Sequence, residues 1–217
     1  MTEQVNNNRM VLLLIAGLPL TMMLAATWMW WFVMRGDLDL IGMVGTANRG
    51  NLVQPPRQLN EAEFRDVDGR VFALEELEPR WVMLVPAAGE SCDASCENTL
   101  YMTRQIHIAL GKEFNRVRRL LVSASPLGDM PLSVDALSDG RPAPPDLSTL
   151  LQQEHRGLKA LSSGPDYHKT LFPDYGEDPS IWYLADPAGW IMMAYNSEVD
   201  YKDVIADIKF LLKNSSQ

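Results

Sequence analysis

From Met10 to Met34 the chain runs for 25 residues without a charged side chain. No other feature restricts the fold as much. As a helix rising 1.5 Å per residue, it would span roughly 37 Å, enough to cross a hydrocarbon core of about 30 Å. Trp28, Trp30 and Trp31 gather at one end, where an aromatic belt would sit. Pro19 is tolerable inside a membrane helix. The run exceeds the apolar region of a secretory signal, and no clean small-x-small cleavage site follows it. We therefore expect an uncleaved transmembrane anchor over 10–34, preceded by a short tail, 1–9.

The net charge of −9 falls almost wholly beyond this segment, since the first 36 residues hold Arg9 and Arg35 against Glu3. The remainder reads as an acidic soluble domain, for which no nucleic-acid partner is expected. Arg9 on one flank and Arg35, Arg49 and Arg57 on the other give the positive-inside rule no clear vote. Long domains translocate largely regardless of charge, and a cysteine pair with no other thiol suits an oxidising compartment. The amino terminus lacks the Arg-rich, acid-poor character of a mitochondrial presequence. A bacterial inner membrane with the carboxy-terminal domain in the periplasm is the expected location.

Residues 35–58 carry several Gly, Asn and Pro and no sustained periodicity, so they read as a tether to a domain over 59–217. Phe64 to Phe72 alternates around Asp68-Gly69, a hairpin signal. Leu74–Leu77 reads as a short helical turn and Trp81–Val85 as a buried strand. Apolar spacing at Leu100, Ile106, Leu110 and Phe114 predicts a helix over 97–114. A strand follows over 117–124, then an irregular insertion over 125–148 rich in Pro, Gly, Asp and Ser. A second main helix is expected within 147–161 and an irregular stretch over 162–178. Ile181–Ala185, a turn at Asp186–Gly189, and Trp190–Tyr195 form a strand pair. An amphipathic helix over 199–212 closes the chain. This succession suits an α/β domain with a mixed sheet flanked by helices.

The only cysteines form Cys92-Asp-Ala-Ser-Cys96 at the junction between the first buried strand and the helix. Their spacing allows a disulfide across the helix start. As a staple alone, a loop this short stabilises by roughly 2 kcal/mol through chain entropy. A helix N-terminus favours thiolates, but Glu90, Asp93 and Glu97 stand close by, with no cationic residue between Trp81 and Thr103. That setting argues against a strong oxidant. It favours a reductant, or a site where a bound cation offsets the charge, and two thiolates suit Cu(I). His168, in the irregular stretch before Pro179, is a candidate third metal ligand. His107 would lie about 16 Å along the helix from Cys96, too far to share coordination, and His155 reads as a surface residue. Met83 and Met130 could offer thioethers, although Met83 reads as core. Arg116, Arg118 and Arg119 form a basic cluster, read as an edge-strand or partner-facing feature.

Several of these stretches resemble the thioredoxin-like superfamily in its membrane-tethered branch. Nearest are the Sco/SenC cytochrome oxidase assembly proteins, then the TlpA-like thiol oxidoreductases. Asp66-Val-Asp-Gly69 with Phe72–Leu77, the strand Trp81–Val85, Cys92-x-x-x-Cys96 with Leu100, and Pro179–Gly189 carry the likeness. It implies a thioredoxin-like mixed sheet preceded by one transmembrane helix. It also implies an assembly factor that handles copper or keeps cysteines of an oxidase subunit reduced, with that subunit or other assembly factors as partners. Cys92 would attack, Cys96 would resolve, and Pro179 would occupy the place of the thioredoxin cis-proline facing them. Two departures stand out. Asp93 and Glu97 follow the cysteines where Sco proteins have Pro, and Glu177-Asp178-Pro179-Ser180 lacks the histidine that Sco proteins supply for copper. Copper is thus the implied metal, held by Cys92 and Cys96 with His168 as the remaining candidate. A general thiol-disulfide oxidoreductase, and a non-catalytic interaction domain with a permanent disulfide, are the alternatives.

Overall fold

The computed structural model describes residues 2–34, 48–61, 63–128 and 130–215. Arg35 and residues 36–47 of the expected tether lie outside them. The chain divides into two compact units, Met1–Ala47 and Asn48–Gln217. The first contains helix α1, Thr2–Met34, whose stretch Leu13–Trp31 is long and apolar enough to cross a membrane, with mean hydropathy 1.6. The three tryptophans at its end are exposed.

The second unit is built on strands β1 (Asn51–Gln58), β2 (Phe64–Arg65), β3 (Val71–Phe72) and β4 (Trp81–Ala87). These are joined by β5 (Val117–Ser123), β6 (Leu158–Ser162), β7 (Trp182–Ala185) and β8 (Trp190–Tyr195). Helices α2 (Ala94–Ala109), α3 (Leu147–Glu154), α4 (Pro165–Leu171) and α5 (Tyr201–Asn214) flank them. The eight strands form one mixed sheet in the order β1-β8-β7-β4-β5-β6-β2-β3. β4, β5 and β6 run parallel, and the other pairings are antiparallel. This is the expected thioredoxin-like mixed sheet flanked by helices.

Side chains alternate across β4 and β5, as strand geometry requires. Trp81, Met83, Val117 and Leu184 meet Ile106 and Leu110 of α2 and Val204, Ile208 and Leu212 of α5. Further along the same face, Val85, Ala87 and Leu121 meet Cys96 and Leu100 of α2, with Leu147 and Leu150 of α3. Leu84, Leu120 and Val122 point the other way, toward Leu171 and Phe172 at the end of α4 and Phe64 of β2.

Four elements depart from the sequence reading. The segment 51–58 is not tether but β1, paired only with β8 on its inner side. A sheet edge tolerates Pro, and Pro55-Pro56 falls in the irregular stretch of register between Leu52 and Arg57. The helix expected within 147–161 occupies Leu147–Glu154, but the rest of that span holds a strand that was not foreseen. Gly157, with φ +85°, turns the chain into β6 alongside β5, because a short run such as Leu158–Leu161 fits strand or helix equally well. The stretch 162–178 contains α4 and a 3-10 turn, Pro173–Gly176. Finally, β5 is interior, between β4 and β6, so its arginines do not mark a sheet edge.

Candidate functional site

The chain leaves β4 at Ala87 and enters α2 through the cysteine loop. Asp93 is the N-cap: its Oδ1 accepts the Cys96 backbone N–H at 3.0 Å. One carboxylate of the acidic trio is thus committed to satisfying a helix terminus. Cys92 lies just before the helix and Cys96 in its first turn, with Cα atoms 5.2 Å apart, joined as a disulfide with S–S 2.06 Å. Among the described residues no cysteine is free.

The pair is buried, with Cys92 0 % and Cys96 3 % exposed. Its cover is the insertion after β5. The Cys92 N–H donates to Pro131 O, and the Ser133 N–H donates to Cys92 O, both at 2.9 Å. This places Cys92 and Leu132 in a parallel β-bridge. Leu127, Met130 and Leu137 share one buried cluster with the two cysteines, and Leu132 packs against it. Glu97, also buried, fastens the cover. Its Oε2 accepts from the Ser138 N–H at 3.1 Å and from the Ser138 hydroxyl at 2.5 Å. The exposed attacking thiol expected at Cys92 is therefore not what the disulfide form presents. The individual apolar residues of the cover are scattered among turn-forming residues, and the sequence offers no periodic signal for them.

The other expected site residues do not converge on the sulfurs. Pro179 is exposed in a turn. Asp178 fixes that turn, its Oδ1 accepting the Ser180 N–H at 2.9 Å. Among the described residues the one cis peptide is Gln54–Pro55, so Asp178–Pro179 is trans and does not reproduce a thioredoxin cis-proline. His168 is buried on α4, which packs on the sheet face opposite α2. Burial lowers its pKa to about 4, opposed by a hydrogen bond with the Val122 backbone. Its Nε2 has no partner, and Phe172 and Tyr175 contact its ring edge-on. The described residues contain no group of three or more His, Cys, Asp or Glu arranged to hold a metal ion.

Tyr175 is a further neighbour of the cysteine loop that sequence reasoning did not single out. Burial raises its hydroxyl pKa; Asp93 adds to the rise, and a hydrogen bond with the Ala88 backbone opposes it. His155, expected at the surface, is buried beside Arg119, with Arg119 Nη1 3.3 Å from its Nδ1. His107 is also buried, its Nε2 2.9 Å from Phe114 O, and stacks on the Phe114 ring.

A disulfide at the start of the first core helix, beside the end of the central parallel strand, defines a thioredoxin-like domain. A family model described as transmembrane-like, thioredoxin-like, C-terminal domain matches residues 81–215, and the chain belongs to that family. No curated protein matches the sequence. Among solved structures the fold is similar to that of yeast Sco1, at TM-score 0.53 and 18 % identity over 80 % of this chain and 99 % of that one. Copper-bound yeast Sco1 matches at TM-score 0.52 and 19 % identity, covering 79 % and 97 %. Copper-bound ScoI of Arabidopsis thaliana matches at 0.51 and 14 %, covering 76 % and 99 %.

Proposed function

We propose that this protein is a single-pass, membrane-anchored thiol-disulfide factor serving the assembly of a respiratory cytochrome oxidase. Its anchor is 10–34, and its domain faces the periplasm from a bacterial inner membrane. The observation that carries the reading is the Cys92–Cys96 disulfide at the start of α2, beneath a cover fastened by side-chain and backbone hydrogen bonds. A structural staple of this length contributes only about 2 kcal/mol, little reason for a dedicated cover. In the dithiol form, the Cys92 thiolate attacks a client disulfide and one client sulfur leaves as a thiolate. Cys96 then attacks the mixed disulfide. The client departs as a dithiol, and the Cys92–Cys96 bond of the present structure forms. A dithiol reductant must return the two electrons for another cycle.

Redox titration of the full chain in detergent against glutathione buffers should give a reversible two-electron couple. Cys96→Ser should trap a mixed disulfide with an oxidase subunit. Full complementation of a gene deletion by the double Cys→Ser variant would leave only the interaction-domain reading, and a trapped spectrum of unrelated clients would favour a general oxidoreductase. An alkaline phosphatase fusion at the carboxy terminus tests the orientation, which requires it to be active.

The copper-bound relatives motivate a second measurement. In the disulfide form the donors do not fit copper: the sulfurs are bonded to each other, and neither His168 nor Pro179 adds a ligand. Only reduction frees two soft donors. Anaerobic Cu(I) titration of the reduced chain should show one Cys92- and Cys96-dependent equivalent if the protein also handles copper. Its absence confines the role to thiol exchange.

A further inference from the structure

At the opposite end of the central strands from the disulfide, near the start of β5, lies a cavity of about 430 Å³. A seven-residue strand spans roughly 20 Å, so this cavity is remote from the cysteines. Arg80, Arg104, Arg118, Arg119 and Arg156 line it, in a chain whose net charge is −9. Two of the five have carboxylate partners. Arg104 Nη1 donates to Glu154 Oε2 at 2.8 Å, and Arg80 pairs with Glu78. Glu154 is further engaged by Arg141, at 2.8 Å. Arg118, Arg119 and Arg156 form no ion pair among the described residues.

Arg119 is the sharpest case, at 3 % exposure. Its one side-chain partner is the His155 ring, whose Nδ1 accepts from Nη1 at 3.3 Å. Its Nε is buried without a partner, as is Nη1 of Arg118. His155 brings no charge to offset Arg119: burial, followed by the Arg119 and Arg104 charges, lowers its pKa to about 3 and keeps the ring neutral. A buried guanidinium with no counter-anion, as at Arg119, is expensive, and with the exposed Arg156 on the same cavity it supplies forked donors that match a tetrahedral oxyanion.

We infer that this cavity binds a small phosphate-class anion, gripped by Arg119 and Arg156. The site is independent of the cysteine chemistry. The probe is inorganic pyrophosphate, titrated calorimetrically at pH 7 and low salt into the full chain in dodecyl maltoside micelles. Saturable one-to-one binding is expected, with the His155 ring NMR signals shifting in step. Arg119→Met should abolish it and Arg156→Ala should weaken it about tenfold. Arg156 is exposed, so its variant keeps the test decisive where loss of the buried Arg119 prevents folding. A parallel arm dopes the micelles with phosphatidylglycerol. Competition with pyrophosphate identifies the source as a lipid headgroup, and no competition identifies a free anion. Failure of both probes to bind saturably, or equal binding by wild type and Arg156→Ala, overturns the assignment.

Discussion

The Asp207 carboxylate, buried on α5, accepts the Arg49 and Gly50 N–H groups at 2.7 and 3.1 Å. It pins the entry of the folded unit to its last helix. Asp207→Ala would strand two donors and should cost on the order of 2–3 kcal/mol, read as a lower urea midpoint with unchanged slope. Beside it, a Cβ on Gly50 would lie 2.4 Å from the Tyr195 ring, so Gly50→Ala should destabilise in the same assay. The histidines predict a pH dependence. Burial lowers His155 to about 3 and His168 to about 4, below an unfolded value of about 6.5. Their contribution is complete above that value and is lost as pH falls through it toward the folded values. Two protons taken up on unfolding give a slope approaching 2.7 kcal/mol per pH unit near pH 5, by the linkage relation, at about 1.36 for each proton. Burial lowers His107 also and adds to this. Urea midpoints measured from pH 7 to 4.5 check it, and His168→Leu should remove one proton from the slope.

At the scale of elements, the first turn of α2 and the insertion over it act together. The Ser138 hydroxyl is one of two donors to Glu97. Ser138→Ala should weaken the cover by about 1–2 kcal/mol, a factor of roughly 5–30 in its opening. Thiol release under dithiothreitol should accelerate by that factor, and an unchanged rate would mean that the cover does not limit access. The cysteine spacing and the strand-to-helix junction were legible in the sequence, because each is a local signal. The burial of the sulfurs was not. It depends on Leu127, Met130, Leu132 and Leu137, contributed by a turn-rich segment from beyond β5. Likewise His155 reads as a surface residue until Gly157 is seen to end α3 and send the chain into β6, which brings the ring beside Arg119. The helical spacing of Val204, Ile208, Leu211 and Leu212, by contrast, identified the apolar face of α5 unaided, with Leu211 half-buried and the other three buried.

At the scale of the whole molecule, the apolar run, the domain class and the central strands were readable, while the two margins of the sheet were not. β1 looked like linker because only Val53 is buried along its length, and β6 was not foreseen. A boundary drawn at residue 59 therefore removes a strand. A fragment beginning at Asn48 should unfold cooperatively, whereas one beginning at Leu59 exposes the edge of β8 and should aggregate or melt lower, by light scattering and calorimetry. The same pairing sets an order of events during synthesis. β1 leaves the ribosome before its partner strand, which lies about 130 residues downstream, the span across which Gln58 bonds to Ala188. At ordinary elongation rates that interval lasts roughly 10 s. Throughout it the nascent chain holds an unpaired strand, so closure of the sheet at this margin must wait until β8 has been made.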